Sequence, residues 1–241
     1  MNPIIIAHRG YSGRYIENTL PAFEAAVAAR AEWIECDVHL SRDGQVVIHH
    51  DEKLNRLANR YGKITDYTLA ELQLMTLKQG NLTSTIPSLA DYLSWAKTKS
   101  VLTNIEIKRN KFKADNIEEK VVHLVKTFKT LEQTVISSFD HRTLHQVKKL
   151  APSLKIAYLI NKWTSKKLKQ LNQLEPDYIH IRHDVLTKKR IQYLHEAGYK
   201  INTWTVNQPE QIEKMLALGV DGIVTDHLDK ALYIRENFNN I

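Results

Sequence analysis

Three short stretches of the chain concentrate side chains that ionise or can hold the oxygens of an anion. His8-Arg9-Gly10 ends the apolar run Ile4-Ile5-Ile6-Ala7. The stretch WIECDVHL, residues 33–40, places Glu35 and Asp37 two residues apart, and LTNIEIKRN, residues 102–110, does the same with Glu106 and Lys108. Side chains alternate across a strand, so each pair shares a face while Ile34, Cys36, Val38, Ile105 and Ile107 take the other. Carboxylates gathered near a strand end repel one another, and each is costly to desolvate unless paired or metal-bound. Two chemistries therefore fit. Glu35, Asp37 and Glu106 form an internal ion network with Arg9 and Lys108, or they hold a hard divalent cation, Mg²⁺ or Ca²⁺. The chain has no Cys/His spacing of a zinc site.

Elements must bring these residues together. Short β-branched runs alternate with helical patterns almost to the last residue. The strands are expected at 4–7, 33–38, 102–107, 134–138, 155–160, 178–181, 200–206 and 222–225. Helical spacing covers 20–29, 88–97, 117–128, 142–150, 166–173, 187–197 and 209–218. Asn18-Thr19 stands where the first helix would be capped, and Asp226 where the last one would be. Gly198 and Gly219 follow helices and precede strands, as C-terminal cap glycines do. Eight strands, each followed by a helix, predict an α/β fold, a closed (β/α)₈ TIM barrel, over a single domain of residues 1–241. A doubly wound open sheet would want a glycine-rich loop after the first strand, and none is there. At about 43–86 the rhythm breaks. Asp43-Gly44 and QVVIHHD predict an antiparallel hairpin, followed by a small polar insertion after the second strand with one short helix near 69–75. Catalytic residues of such barrels gather at the C-terminal ends of the strands, where the charged faces would converge.

The chain has 241 residues, 43% of them apolar, ample for one core, and its longest apolar runs are too short to span a bilayer. There is no basic segment followed by an apolar one at the N-terminus, and the lone Cys36 can form no internal disulfide, which points to the cytoplasm. The net charge of +7 comes from clusters such as Lys148-Lys149, Lys166-Lys167-Leu168-Lys169 and Lys188-Lys189-Arg190. Each lies within helical spacing and reads as a solvated helix face, without the interleaved aromatics of a nucleic-acid site. Stable membrane insertion and nucleic-acid partners are not expected, and the oligomeric state is not encoded legibly.

His8-Arg9-Gly10, Glu17-Asn18-Thr19, Glu35-Cys36-Asp37-Val38, Asp43-Gly44, VVIHHD, Glu106-Ile107-Lys108, Thr203-Trp204-Thr205-Val206-Asn207 and Gly222-Ile223-Val224-Thr225-Asp226 occur in an order that resembles the glycerophosphodiester phosphodiesterase family. The resemblance runs from the first strand to the last. It implies a small-molecule glycerophosphodiester as substrate and hydrolysis to glycerol 3-phosphate and an alcohol. It further implies His8 and His50 as the acid/base pair and Glu35, Asp37 and Glu106 as ligands of a divalent metal ion. Arg9 and Lys108 would hold phosphate oxygens, and Trp204 would line the substrate cleft. His50 rather than His49 matches the family position, because it directly precedes Asp51. Attack on phosphorus would come from water directly, or from a neighbouring glycerol hydroxyl through a cyclic phosphate. A phosphodiesterase acting on lysophospholipids or other diesters is the alternative, and a non-catalytic anion-binding module is a third reading. Cys36 reads as a buried small residue. His39 reads as a partly exposed loop histidine, and His180 with Arg182 as either a contact to the substrate or a structural pair.

Overall fold

The computed structural model describes residues 3–108 and 116–238. In chain order, β1 (Ile4–Ala7) leads to α1 (Leu20–Ala28) and β2 (Trp33–Leu40). From there β3 (Val46–Ile48) turns back antiparallel, followed by α2 (Asn55–Ala58), α3 (Leu69–Gln73), a hairpin of β4 (Thr76–Gln79) and β5 (Leu82–Thr85), and α4 (Leu89–Ala96). The repeat then becomes regular: β6 (Leu102–Ile107), α5 (Ile117–Thr127), β7 (Thr134–Ser138), α6 (His141–Leu150), β8 (Lys155–Ile160) and α7 (Ser165–Leu174). It closes with β9 (Tyr178–Arg182), α8 (Lys188–Glu196), β10 (Lys200–Trp204), α9 (Pro209–Leu218), β11 (Gly222–Thr225) and α10 (Leu228–Asn237).

Eight of these strands form a closed parallel barrel. β1 pairs with β11 on one side and β2 on the other, and the order around the wall is β1-β11-β10-β9-β8-β7-β6-β2. The expected (β/α)₈ TIM barrel is thus observed, and the open sheet is excluded. Among the described residues no helix is long and apolar enough to cross a membrane.

Alternation sorts the strand residues into two sets. Ile5, Ala7, Ile34, Cys36, Val38, Ile105 and Ile107 face the helices in one continuous core with residues such as Phe23, Tyr92 and Val121. Burying each branched aliphatic there stabilises the fold by about 1.5–3 kcal/mol relative to exposure. Cys36 is a small packing residue in this layer, as alternation predicts. The other set points down the barrel. Ile6, Trp33, Val135, Ala157, Tyr178 and Val224 make an apolar floor, with Trp33 edge-on to Tyr178. Two residues further along four of these strands the same face turns polar: His8, Glu35, Ser137 and His180 follow Ile6, Trp33, Val135 and Tyr178, while on β8 Leu159 follows Ala157. On those four strands one face therefore runs from a dry floor to a polar mouth.

The segment after β3 is more structured than expected. Besides the short helix α3 it contains α2 and the β4–β5 hairpin, and it has its own core of Ile16, Val47, Leu54, Leu57, Ile64, Leu72, Leu77 and Ile86. The hairpin carries no alternation to read, because Leu77 is its only fully buried residue. β2 also runs to Leu40 rather than 38, since its last residues pair with β3. β10 stops at Trp204 rather than 206, and the Val206 amide instead reaches the Val224 carbonyl.

Gly222 in β11 is required by close approach. A Cβ there would fall 2.3 Å from Asn202 Oδ1 and 2.9 Å from Ile4 Cγ1. Gly222→Ala should lower unfolding free energy in urea by about 1–3 kcal/mol, the usual cost of overpacking a tight core. An unchanged midpoint and slope would show that Asn202 can move aside freely.

Candidate active site

The apolar run of β1 places His8 on the interior face after Ile4 and Ile6, at the rim of a cavity of about 240 Å³. His8 Nδ1 bonds Asp226 Oδ1 at 2.7 Å, and Asp226 also accepts from Ser12 Oγ at 2.8 Å and Asn207 Nδ2 at 2.6 Å. Asp226 therefore does not cap the last helix. The N-cap position of α10 is His227, without a side-chain bond, and the Asp226 carboxylate instead bonds His8 at the end of the neighbouring strand β1.

Arg9 has a left-handed backbone (φ 56°), as does Gly10 (φ 78°), where a Cβ would come 2.8 Å from the Ala22 carbonyl carbon. This tight turn folds Arg9 back over the mouth. Its amide donates to Glu35 Oε2 at 2.9 Å and its Nη1 to Glu17 Oε1 at 2.9 Å, while Nε lies 3.3 Å from Asp37 Oδ2 without hydrogen-bond geometry. Asn18, also left-handed, holds Asp37 from both sides. Its Nδ2 donates to Oδ2 at 2.8 Å, and its Oδ1 accepts from the Asp37 amide at 3.2 Å. Thr19 occupies the N-cap position of α1, yet its hydroxyl donates to the Ile16 carbonyl, so the expected Asn18-Thr19 side-chain cap is not formed.

β2 and β6 pair in a register that sets Asp37 beside Glu106. Glu35, Asp37 and Glu106 are all buried, each with a carboxylate oxygen within 4.8 Å of the others. Lys108 Nζ reaches Asp37 Oδ1 at 2.9 Å and Glu106 Oε1 at 2.5 Å. His50, just past β3, lines the same cavity, and its Nδ1 bonds Asp51 Oδ1 at 2.8 Å. His39 lies in β2 rather than in a loop, and its Nε2 donates to the His50 carbonyl at 3.0 Å, so it fixes the backbone carrying His50. His49 is buried and does not line the cavity.

The inserted segment reaches both halves of the site through Arg56. Its Nε donates to Asp51 Oδ2 at 2.6 Å, and its Nη2 and Nη1 donate to the two oxygens of Glu17 at 2.6 and 2.9 Å. Glu17, Asn18, Asp51, Arg56, Asn207 and Asp226 were given no role in the site by sequence. Several lie in motifs noted above, but only the fold shows what they touch. Trp204, edge-on to Phe139, lines the wall opposite the carboxylates together with His180. Arg182 points elsewhere and pairs with Asp184 at 2.6 Å.

Residues 8–230 match the model of the glycerophosphoryl diester phosphodiesterase family. The chain belongs to this family. It is 38% identical over 244 residues to a glycerophosphodiester phosphodiesterase of Bacillus altitudinis, covering 96% of this chain and 98% of that one. It is 36% identical over 235 residues to one of Caldanaerobacter subterraneus, covering 94% and 95%. Its fold superposes with a TM-score of 0.89, at 27% identity and 97% coverage of both chains, on a phosphodiesterase of Oleispira antarctica solved in complex with the product sn-glycerol-3-phosphate.

In this phosphodiesterase-family barrel the carboxylates do not ionise alike. Burial, then Asp37 and Glu106, push Glu35 well above the usual carboxylate range. Burial raises Glu106 to about 7, with Asp37 adding and Lys108 opposing. Burial also works against Asp37, but Lys108 and Arg9 outweigh it and hold its carboxyl below the ordinary value. Two cations face three carboxylates, so full ionisation of the set, which burial opposes, would leave negative charge uncompensated where their oxygens converge. An all-oxygen donor set with excess negative charge fits a hard divalent cation. The internal ion network also exists, but with Arg9 and Lys108 alone it is incomplete.

His180 is different. Burial without a carboxylate partner lowers it to about 3. The unfolded chain takes up a proton near the ordinary value of about 6.5 while the folded ring does not. This group's contribution is therefore present above that value and is lost as pH falls toward the folded one. The stability advantage of the protein over a His180→Gln variant should shrink by about 2 kcal/mol between pH 7.5 and 5, measured by urea unfolding. A constant difference would mean that the ring titrates normally when folded.

Proposed function

We propose that this chain hydrolyses glycerophosphodiesters, such as glycerophosphocholine or glycerophosphoethanolamine, to glycerol 3-phosphate and an alcohol. The observation that carries the reading is one cavity lined by Glu35, Glu106, Arg9 and Lys108, with buried Asp37 converging on the two glutamates, and by His8 and His50, each backed by an aspartate. Membership of the family and the glycerol 3-phosphate bound to the Oleispira antarctica relative support it.

Glu35, Asp37 and Glu106 would hold Mg²⁺ or Ca²⁺, which when bound supplies positive charge to the phosphoryl oxygens and favours the developing transition-state charge. Arg9 and Lys108 add fixed positive charge on the same side, locked in place by Glu17 and by Asp37 with Glu106. His8 and His50 carry the protons. Each presents Nδ1 to an aspartate, which fixes that proton there, leaves Nε2 for a reacting oxygen and stabilises the imidazolium when it forms. One ring takes the proton of the attacking oxygen and the other delivers one to the departing alkoxide, as in-line displacement requires. Trp204 closes the cleft against the organic part of the substrate.

Purified protein should release glycerol 3-phosphate from glycerophosphocholine, lose the activity in EDTA and regain it with Mg²⁺ or Ca²⁺. His8→Ala and His50→Ala should each cut kcat by roughly 10²–10⁴-fold. A folded protein inactive with either metal would refute the reading, and full activity in EDTA would refute the metal. Arg56→Met frees Asp51 and Glu17 together, and should lower kcat/KM about ten-fold or more without touching a group in the cavity. Wild-type kinetics in that variant would show that the salt-bridge chain does not position the site.

A further inference from the structure

The wall of the cavity farthest from the carboxylates carries a polar group that the proposed reaction leaves unused. Passing around the barrel from β2 through β1, β11 and β10 leads to β9, so His180 stands across the barrel from Glu35 and Asp37. It is 1% exposed and lines the cavity. Its Nε2 lies 3.0 Å from Asn202 Nδ2, which can only donate, so Nε2 accepts and the ring proton resides on Nδ1. Asn202 is itself confined by the missing Cβ of Gly222. Burial keeps the ring neutral. Among the described residues nothing accepts from Nδ1, so a neutral N–H donor is held without a protein partner beside the cavity.

An acceptor lies on the facing wall, beside Glu35. Asn104 on β6 also lines the cavity, and its Oδ1 is buried with no hydrogen-bond partner among the described residues. A buried polar atom without a partner is costly, so a ligand or water that satisfies these groups is favoured. The pair discriminates by chemistry. A second phosphate or a carboxylate would meet the Asn104 carbonyl oxygen, and an ammonium would meet the His180 N–H. Hydroxyls suit both, since a hydroxyl can accept from His180 and a hydroxyl can donate to Asn104. Phe139, Leu159 and Val224 supply apolar surface around them for a short carbon chain.

We propose that His180 Nδ1–H, with Asn104 Oδ1 on the facing wall, binds the hydroxyls of the three-carbon polyol arm while the phosphate lies against the carboxylates, so that His180 selects glycerol-bearing phosphates over alkyl phosphates. This rests on the phosphodiesterase reading of the site and adds the residue that recognises the substrate's polyol.

Binding of the product half tests it without involving a hydroxyl in the reaction. Dissociation constants of glycerol 3-phosphate and propyl phosphate would be measured by calorimetry with Mg²⁺ present. Propyl phosphate keeps the phosphate and the three carbons and lacks both hydroxyls. The protein should prefer glycerol 3-phosphate about ten-fold, the scale of one or two hydrogen bonds. His180→Leu should bind both about equally, and His180→Gln, which retains an N–H donor, should keep part of the preference. Equal affinities in the unaltered protein, or a preference that survives His180→Leu, would overturn the proposal while leaving phosphate binding intact. Failure to bind either compound would overturn the phosphodiesterase reading and this one with it. Should His180→Leu not fold, ¹⁵N-histidine spectra of the unaltered protein decide. The Nδ1 resonance of His180 should move with glycerol 3-phosphate and not with propyl phosphate, and no movement would overturn the proposal.

Discussion

Repulsion among three buried carboxylates is the constraint from which the rest of this barrel follows. Glu35, Asp37 and Glu106 bring oxygens within 4.8 Å of one another in a region largely removed from water. Such a cluster forms only if something else fixes the backbone that carries it. The parallel ladder between β2 and β6 does so, with six residue pairs from Trp33–Leu102 to Val38–Ile107. A one-residue slip of either strand would turn its acidic set toward the helices and bring Ile34, Cys36 and Val38, or Ile105 and Ile107, into the barrel. The apolar layer beneath the helices thus sets the register, and the register sets the site. Lys108 and Arg9 then relieve part of the repulsion. Their pull falls chiefly on Asp37, which explains why this carboxyl ionises readily while its two neighbours resist.

The aspects of this arrangement that depend on local periodicity are legible in the sequence. Alternation along 33–40 and 102–108 suffices to place Glu35 with Asp37 and Glu106 with Lys108, and runs of β-branched residues between helical patterns suffice for the closed barrel. Contacts between distant positions are not legible in this way. Asp226 sits where a helix cap would stand, and only barrel closure brings it to His8, 218 residues away in the chain. Arg56 and Glu17 are 39 residues apart, the first in a segment whose hairpin buries a single side chain and the second in the loop after β1, so neither period nor composition announces their pairing. The family resemblance supplied roles for the conspicuous residues and none for these supports.

The inserted segment illustrates why such supports matter. His50 and Arg9 arrive on different elements, yet one guanidinium ties the carboxylate behind the first to the carboxylate behind the second. Glu17 and Asp51 are both held below their ordinary values, burial being outweighed by Arg56 together with Arg9 in one case and His50 in the other. The small core of Leu54, Leu57, Leu72 and Ile86 gives Arg56 a fixed platform on a segment that lacks barrel strands of its own. A flexible loop could carry the same residues, but it would lose part of their binding to the entropy of ordering them.

Four histidines near the mouth show how one side chain is assigned different work by what touches its ring. His8 and His50 each offer Nδ1 to a carboxylate, which orients the ring at the cavity. His180 offers Nε2 to an amide N–H, which favours the neutral ring and a fixed donor. His49 has an unpartnered Nε2, and burial together with His39 lowers it to about 4, so it remains a neutral packing group. Sequence distinguishes His49 from His50 only by the aspartate that follows the second. In the fold that adjacent aspartate is what separates them, because it pairs with the His50 ring at the cavity, while the His49 ring is buried away from the cavity with no partner at Nε2.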